Sequence, residues 1–450
     1  MVEISKADAT ASRAFFVRML TRDISLEDCI LDLLDNSVDS AWKNLGAKRL
    51  SLTSGPDFSK VSIDIDFDVD SFSIRDNGGG MTLVSAEKYA FTFGRKDEDP
   101  EDTGEFSIGV YGIGLKRAVF KIGTNIWVHS TYTQSGKRNS FVVPIDVNSW
   151  VKQKGNNWDF PIESSGHMDN DGLSIEVTGL TDLARASFQD PEFEPRLRAT
   201  VARDYALHLH RGLKVKVNGV PVMGEKFTLF EGAAFKPLNT SYEEKIGKEI
   251  VHVEIISGLA FPPPEDNEPN DRGERESKSG WYVACNGRIV MAADKSVLSV
   301  WGDDFPAWHP QYTGFFGLII FTSDRTDLLP LTTTKRSVDL SSVVYRRARP
   351  KMKEPTRSWI NYTNVRKTDQ GTAKLAEQEA KQTSIFSLTR SGSVSLPVLT
   401  RTRVKDTSIQ FRMLTVRVKS LAKGFGDVTL SNSEVGRKAF EYAYEDLVEE

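Results

Sequence analysis

The sequence has few of the features that mark secreted, membrane-spanning or disulfide-rich proteins. Its 450 residues include two cysteines, Cys29 and Cys285, which excludes a disulfide framework and favours a reducing compartment. No apolar run approaches the roughly 18 residues that a membrane span needs. Met1–Phe15 also lacks the apolar centre of a secretory signal. We therefore expect a cytoplasmic protein that makes no membrane contact.

Charge and histidine content exclude further classes of function. The formal net charge is -4, so any contact with nucleic acid must be local. The six histidines, including His208 and His210, lack the spacing of a metal site, and each is predicted to be structural. Hydrophobic residues at 39% and charged residues at 27% are typical of a globular protein. A chain of this length predicts two or three domains.

Hydrophobic patterns predict an alternation of helices and strands. Arg196–His210 is predicted as one helix, a hairpin is predicted to turn at Asn218-Gly219, and Pro262–Ser279 is predicted as a mobile loop. Further helices are predicted at Ala373–Gln382 and Ser433–Glu450. Strands are predicted at Val61–Phe67, Ser71–Arg75, Asn125–Ser130, Ser140–Val143, Leu173–Thr178, Trp281–Ala292 and Phe315–Phe321.

An acidic helix is the first element with chemical content. Ser25–Lys43 has helical periodicity, and Ser25 is its candidate N-cap. At about 100° per residue, one narrow stripe collects four carboxylates and an amide, whereas apolar residues cover the rest. Because like charges four residues apart repel, the stripe favours a cation site, such as one for Mg²⁺, over a solvated face. The stripe consists of Asp28, Asp32, Asp35, Asn36 and Asp39, together with Lys43.

Two glycine-rich segments follow this helix. In Arg75–Met81, three glycines allow a sharp bend and the close approach of a flat ligand, and Asp76 can accept from an exocyclic amine. Gly109–Lys116 precedes a helical stretch whose N-terminus, together with Lys116, can hold phosphates. Its spacing does not fit a P-loop, and no buried strand precedes it as in a Rossmann fold. Each segment alone is also compatible with an ordinary glycine turn.

The three elements together, in this order and spacing, resemble the ATP-binding boxes of the GHKL (Bergerat-fold) superfamily. That superfamily includes the DNA gyrase B subunit, the ninety-kilodalton heat-shock chaperones, histidine kinases, MutL and MORC-type ATPases. The resemblance implies ATP and Mg²⁺ as ligands, a general base at Asp32, a metal ligand at Asn36 and a lid at Gly94–Gly109. The nucleotide-binding positions that it implies are Asn36, Asp39, Asp76, Gly78, Gly80, Met81, Gly94, Gly109, Tyr111, Gly112, Ile113, Gly114, Leu115, Lys116 and Ser174.

The resemblance continues into the transducer domain of the MutL-like, MORC-like and chaperone-type members. Trp281–Arg288 is similar to a transducer strand, and Leu329–Arg336 is similar to the catalytic loop. A lysine of that loop reaches the ATP γ-phosphate in those relatives, so the resemblance implies this catalytic role for Lys335. The implied fold class is α+β: a Bergerat two-layer α/β sandwich at 1–183, a βαβ-type transducer domain at 184–345 and a mixed C-terminal region at 346–450.

Two positions depart from the family pattern. Hydrolytic members usually carry glutamate where this chain has Asp32, and the shorter side chain sets its oxygens back by about 1 Å, a misplacement that can cost on the order of 100-fold in rate. Slow hydrolysis is therefore expected, and Asp28 is a weaker alternative base. Relatives often have threonine where this chain has Leu173, which cannot hydrogen-bond near the adenine. Ser174 is the candidate substitute.

The function implied by the resemblance is Mg²⁺-dependent ATP binding and slow hydrolysis that drive an ATP-linked homodimeric clamp. A nucleotide-sensing module with little turnover and a chaperone-like protein that acts on client proteins are the alternatives. A histidine kinase is disfavoured, because the sequence shows no phospho-acceptor histidine helix before the ATP-binding motifs. A transducer-like segment follows those motifs instead.

The partner of the clamp stays open at the sequence level. Between Gln382 and Gly424 eight basic residues stand against one acid, Asp406. This segment can contact the phosphate backbone of DNA, although a solvated surface is the simpler explanation. The helix predicted at Ser433–Glu450 either docks a protein partner or packs on the chain's own core. The basic residues are Arg390, Arg401, Arg403, Lys405, Arg412, Arg417, Lys419 and Lys423.

Overall fold

The structure is a computed structural model that describes residues 12–46, 48–92, 107–109, 114–153, 158–264, 272–304, 306–399 and 409–448. Contacts divide the chain into two compact units, Met1–Thr400 and Arg401–Glu450. The first unit contains two large sheets and the helices that pack on them, which confirms the predicted α+β class. The domain boundaries predicted at residues 183 and 345 fall inside this unit and stay predictions.

An eight-stranded sheet forms the first part of the larger unit. Its strands are β1 (Ser62–Phe67), β2 (Ser71–Asp76), β3 (Gly123–Gln134), β4 (Lys137–Asp146), β5 (Glu163–Ser164), β6 (Gly172–Leu180), β7 (Lys214–Val217) and β8 (Val220–Pro221). Their order is β5-β4-β3-β6-β2-β1-β7-β8, with antiparallel neighbours except for the parallel pair β1 and β7. All five strands predicted here are confirmed. The predicted turn at Asn218-Gly219 joins β7 to β8, with both residues at positive φ.

Helices pack with this sheet around a shared core. They are α1 (Arg13–Arg22), α2 (Leu26–Asn44), α3 (Leu83–Ser85), α4 (Gly114–Ile122), α5 (Val147–Lys152), α6 (Asp182–Gln189), α7 (Phe193–Asp204) and α8 (Ala206–His210), with a π-helical turn at Ala86–Ala90. The predicted acidic helix is confirmed as α2, and the Ser25 hydroxyl caps it by accepting from the amide of Asp28 at 3.0 Å. The single helix predicted at Arg196–His210 is wrong, because Tyr205 leaves the helical conformation and separates α7 from α8.

A five-stranded sheet follows. The remaining strands are β9 (Thr228–Glu231), β10 (Leu238–Ile246), β11 (Glu249–Leu259), β12 (Gly280–Cys285), β13 (Arg288–Asp294), β14 (Phe315–Thr322) and β15 (Lys381–Ser384). The sheet order is β10-β11-β14-β12-β13, whereas β9 pairs separately with β15. The strand predicted at Trp281–Ala292 is a hairpin that turns at Asn286-Gly287, and the strand predicted at Phe315–Phe321 is confirmed as β14.

Three helices accompany the second sheet: α9 (Arg272–Lys278), α10 (Val343–Arg366) and α11 (Gln370–Glu379). The loop predicted at Pro262–Ser279 is wrong for residues 272–278, which form α9. The helix predicted at Ala373–Gln382 is confirmed as α11, except that its last residues enter β15. Short 3₁₀ turns lie at Val297–Ser299, Pro310–Tyr312 and Thr326–Leu328.

The second sheet has apolar side chains on both faces, and one face shares a core with the first sheet. Leu318 and Ile320 of β14 belong to the same buried cluster as Leu33 of α2. On the opposite face, Ile319 packs in a second cluster with Trp359 of α10. Because the first cluster is continuous, β13 and the segment after β14 come into contact with α2.

The smaller unit contains two helices, α12 (Thr415–Gly424) and α13 (Asn432–Val448). The helix predicted at Ser433–Glu450 is confirmed as α13 up to Val448. Within residues 409–448, only Ala422 and Val435 are buried. Across the described part of the chain, no helix combines the length and the apolar character that crossing a bilayer requires.

Candidate active site

Asp76 ends β2, and three donors hold its carboxylate in one orientation. The Ser37 hydroxyl of α2 donates to Oδ2 at 2.8 Å, and the amides of Gly78 and Leu173 donate to Oδ1 at 2.8 and 3.3 Å. Asp76 is 6% exposed, and burial raises its pKa despite these hydrogen bonds. A carboxylate offers about four acceptor positions, so this one can still accept from an exocyclic amine.

The glycine turn after Asp76 packs closely against other backbone. A side chain at Gly78 would come within 3.0 Å of the Ala41 amide nitrogen in α2. Gly80 has φ +73°, and a Cβ there would overlap the Thr131 carbonyl of β3. The next residue, Met81, exchanges two hydrogen bonds with the Ser130 hydroxyl, at 2.7 and 2.8 Å. The turn is therefore fixed between α2 and β3. The glycines were predicted to allow the close approach of a flat ligand, whereas in the structure the backbone of α2 and β3 lies against them.

Ser174, the candidate substitute for a threonine near the adenine, does not lie beside Asp76. It pairs with Arg75 across β2 and β6, and its hydroxyl accepts from the Arg75 Nε at 3.4 Å. Because neighbouring side chains of a strand point to opposite faces, Ser174 and Asp76 lie on opposite faces of the sheet. The backbone amide of Leu173 is the group at this position that reaches Asp76.

The acidic stripe of α2 is largely paired with cationic side chains of the same chain. Asp32 is 3% exposed and Asp35 is fully buried. Removal of a carboxylate from water is costly unless a partner charge and hydrogen bonds compensate it. Most of these partners come from segments far from α2 in sequence.

Asp32 is held by two cations. The Arg117 Nε and Nη2 lie 2.7 and 2.6 Å from its Oδ2, and the Lys335 Nζ lies 3.4 Å from its Oδ1. Gly114, the first residue of α4, lies beside this carboxylate, since a Cβ there would lie 3.4 Å from the Asp32 Cγ. The predicted base and the predicted γ-phosphate lysine therefore meet at the N-terminus of α4.

Asp35 lies at the centre of the same group. It accepts from the Lys335 Nζ at 2.6 Å and from the Tyr205 hydroxyl at 2.6 Å, and it pairs with the Arg288 guanidinium of β13. Burial pushes the pKa of Asp35 upward, but the charges of Arg288 and Lys335 outweigh it and hold that pKa below its usual value. We call Asp32, Asp35, Arg117, Arg288 and Lys335 the ion-pair cluster.

Lys335 reaches the cluster from the tip of a tight loop. The loop is closed by a bridge between Leu331 and Val338 and by the Lys335 amide, which donates to the Thr332 carbonyl at 2.9 Å. Lys335 has φ +54° and is 5% exposed. The next residue, Arg336, binds three acids and so fastens the loop to the start of α2 and the end of α7. These acids are Glu27, Asp28 and Asp204.

Asp39 and Asn36 face the segment before α4. The Asp39 carboxylate accepts from the amides of Ile108 and Gly109 at 2.6 and 2.7 Å. Burial, reinforced by the charge of Asp35, raises the pKa of Asp39 to about 7. Asn36 is half-buried, and its Oδ1 lies 4.0 Å from the position of a Cβ on Gly109.

These groups fit a magnesium ion that is held mainly by phosphate and water. The described residues include no group of three His, Cys, Asp or Glu side chains that could hold a metal alone. Asp32 and Asp35 are paired with cations, so the Asn36 amide oxygen is the metal ligand that the stripe can supply. Mg²⁺ needs few protein ligands when substrate phosphates and waters complete its octahedron.

Lys116 donates to backbone carbonyl groups near the π-helical turn. It is 1% exposed, and its Nζ donates to the carbonyl of Ala90 at 2.8 Å and to that of Thr92. Burial lowers the pKa of Lys116 to about 8. Leu115 packs against the core. Four predicted nucleotide-binding residues lie outside the described part of the chain: Gly94, Tyr111, Gly112 and Ile113.

Three residues that contact the acidic stripe have no motif that predicts this contact. Arg117 directly follows Lys116, Arg288 ends a segment that resembles a transducer strand, and Tyr205 lies in a segment predicted to be helical. The acidic stripe itself indicates that cationic partners exist, because closely spaced buried acids require them. Which cations supply that charge depends on tertiary contacts, so sequence spacing does not identify them.

Comparison with known families gives a match in the first part of the chain. Residues 24–170 match the model of the family described as histidine kinase-, DNA gyrase B-, and HSP90-like ATPases. The matched span contains α2, Asp76 and the start of α4, but not Arg288 or Lys335. No curated protein is significantly similar to the chain. The match supports the assignment of residues 24–170 to the GHKL superfamily of ATPases, and with it an ATP-binding domain in the first third of the chain.

Proposed function

We propose that the chain binds ATP with Mg²⁺ and hydrolyses it slowly. The observation that carries this proposal is the meeting of Lys335 with Asp32 at the N-terminus of α4. A cation from the second half of the first unit thus lies beside a carboxylate of the family-matched span. A cation can stabilise charge on a γ-phosphoryl group, and a carboxylate can orient water for its transfer.

The two ends of the site offer the chemistry of the two ends of an adenine nucleotide. Asp76 is an oriented acceptor for the adenine amine. The first turn of α4 has backbone amides and a helix dipole of the kind that favour phosphate. The ion-pair cluster contains three cations and two carboxylates, so it has a positive excess for the triphosphate. Helix α2 contributes to both ends, through Ser37 and through Asp32.

The hydrolytic step follows from these positions. The triphosphate draws Lys335 from the carboxylates to the γ-phosphate, where its charge stabilises the developing negative charge. Asp32 orients a water and accepts its proton as the water oxygen bonds to the γ-phosphorus. The bond from that phosphorus to the bridging oxygen breaks, which yields ADP and phosphate. Asn36 would hold a Mg²⁺ ion, which would neutralise phosphate charge when bound.

A nucleotide-sensing module with little turnover is the second candidate, and one observation favours it. Both oxygens of Asp32 contact cations, Arg117 on Oδ2 and Lys335 on Oδ1, so the carboxylate is not free to accept a proton in this arrangement. Its side chain is also one methylene shorter than the glutamate of hydrolytic relatives. Useful turnover therefore requires Lys335 to leave Asp32 when ATP binds.

The proposed use of ATP is a conformational switch. In relatives with a transducer domain, ATP closes two chains into a clamp, and we propose the same for this chain, with residues 184–345 as the transducer. The basic residues between Gln382 and Gly424 are the proposed contact to DNA, and α13 is the proposed contact to a protein partner. Exposed side chains on α13, including Phe440 and Tyr442, support the latter assignment.

Asp32→Asn tests the proposed chemistry. Single-turnover phosphate release and the ATP dissociation constant are measured separately on the full chain. We expect affinity to change by less than about threefold and hydrolysis to fall by about 10² or more, because a positioned base contributes 10²–10⁴-fold. The control is Asp64→Asn, a half-exposed acid of β1. Unchanged hydrolysis in Asp32→Asn would remove Asp32 from the mechanism. Absence of Mg²⁺-dependent phosphate release from the unsubstituted chain, with ATP binding retained, would establish the sensing module.

A further inference from the structure

Arg117 connects the two elements to which the proposed function assigns catalysis. Its Nε and Nη2 lie 2.7 and 2.6 Å from Oδ2 of Asp32, and its Nη2 also donates to the carbonyl of Thr333 at 3.4 Å. Thr333 belongs to the loop that carries Lys335. Arg117 itself stands three residues after Gly114, the first residue of α4. One buried side chain therefore joins α2, α4 and the Lys335 loop.

We propose that Arg117 is a positioning residue that orients the Asp32 carboxylate and couples the phosphate-binding end of α4 to the Lys335 loop. This inference rests on the proposed ATP hydrolysis. Two donors on Oδ2 restrict rotation of the carboxylate and leave Oδ1 on the side of Lys335, 3.4 Å from its Nζ. The fixed orientation compensates in part for the short reach of an aspartate at this position.

The same contacts provide a route from bound phosphate to the loop. Phosphate bound at the N-terminus of α4 would contact the first turn of this helix, which begins at Gly114. A small displacement of that turn would move the Arg117 guanidinium. Because the guanidinium contacts both Asp32 and Thr333, the displacement acts on the base and on the loop together. Arginine suits this role because its planar fork presents several donors in fixed geometry, whereas a lysine is a flexible point charge.

A purely structural ion pair is the competing explanation, and variants on α4 separate the two. Arg117→Gln removes the charge and the fork, and Arg117→Lys keeps the charge but loses the fixed geometry. Lys121→Gln is the matched control: it removes a cation from the same helix, where Lys121 donates to the Thr21 carbonyl at 2.7 Å and contacts neither Asp32 nor Thr333.

Three quantities are measured on the full chain: single-turnover phosphate release, the ATP dissociation constant, and hydrogen exchange of Leu329–Val338 without nucleotide. We expect Arg117→Gln to lower turnover by about tenfold or more with affinity changed by less than about threefold, since misplacement of a reacting group acts on rate. We also expect Arg117→Gln to accelerate hydrogen exchange in Leu329–Val338. Arg117→Lys recovers part of the turnover, and Lys121→Gln resembles the unsubstituted chain in all three.

Turnover of Arg117→Gln within twofold of the unsubstituted chain would overturn the inference while leaving the proposed hydrolysis intact. A parallel loss of affinity and turnover would also overturn it, because it would indicate a structural role. If Arg117→Gln does not fold, Arg117→Lys decides: full turnover in this variant contradicts the need for the fork. Absence of phosphate release from the unsubstituted chain would overturn the proposed hydrolysis and this inference together.

Discussion

The amino group of Lys335 lies 2.6 Å from a carboxylate oxygen of Asp35, a residue 300 positions earlier in the chain. Asp35 is fully buried and also binds Arg288 and Tyr205. The contact ties the loop after β14 to α2, the helix that carries the candidate base Asp32. A ligand that draws Lys335 away from Asp35 therefore changes how the two sheets are connected.

Asp35→Asn should destabilise the chain strongly. The substitution leaves the guanidinium of Arg288 and the amine of Lys335 buried against a neutral amide, and loss of one partner from a buried ion pair costs about 3–5 kcal/mol. We expect a clear fall in the urea midpoint, whereas Asp64→Asn on β1 should change it little. The double variant Asp35→Asn with Lys335→Met should recover part of the loss, because one unpaired cation is removed with the acid. A midpoint of Asp35→Asn equal to that of the unsubstituted chain would show that the cluster contributes no stability.

Lys335→Ala should separate hydrolysis from binding. A cation that acts on the γ-phosphate in the transition state affects rate more than affinity, and removal of one such group costs about 10²–10³-fold in rate. Affinity should fall by less than about tenfold. Lys216→Met on β7 serves as the control, since its side chain is half-exposed and pairs only weakly with Asp64. Equal losses of rate and affinity in Lys335→Ala would contradict a γ-phosphate role.

Local periodicity predicted one side of the site but not the other. The stripe containing Asp32 and Asn36 follows from helical spacing, and Asp76 follows from a glycine turn after a strand. The cations that pair with the stripe come from β13 and from the loop after β14, and their positions depend on the packing of two sheets. The same limit explains why the position of Ser174 was not predicted. Strand alternation places Ser174 on the opposite face from Asp76, but only once the register of β2 and β6 is known.

His208 should make stability depend on pH. It is fully buried among aromatic rings that include Trp42 and Phe58, and in the described structure its ring nitrogens have no hydrogen-bond partner. Burial lowers its pKa to about 4 from an ordinary value near 6.5. Protonation therefore favours the unfolded chain, and the stability contributed by neutral His208 is lost as pH falls from about 6.5 to 4.

His208→Phe is the test, because phenylalanine keeps a ring in the core but cannot be protonated. Urea midpoints are measured for both chains at pH 7, 6, 5 and about 4.5. We expect the unsubstituted chain to lose more stability than the variant across this range. Parallel curves for the two chains would contradict a neutral buried histidine.

The proposed DNA contact predicts a steep salt dependence. Four basic side chains that lie in both the smaller unit and the proposed DNA-contact segment are exposed. Each phosphate that a cation neutralises contributes a slope of about 0.9 in log affinity against log salt. Replacement of all four with glutamine in the full chain should lower the magnitude of the slope by about 3.6, whereas Arg22→Gln on α1 should not lower it by this amount. An unchanged slope would exclude this segment from the contact. The four residues are Arg412, Arg417, Lys419 and Lys423.

Whether the chain binds adenine nucleotide at Asp76 is measured by calorimetric titration of the full chain with Mg²⁺ and ATP. We predict that the unsubstituted chain takes up ATP. Asp76→Asn should weaken this uptake by about 5-fold to 150-fold, because its NH2 group replaces one acceptor oxygen and places a donor against either the adenine amine or a donor of the protein such as the Gly78 amide. Glu176→Gln, on the exposed face of β6, should bind like the unsubstituted chain. Failure of the folded unsubstituted chain to take up ATP, or equal affinity in Asp76→Asn, would contradict the account.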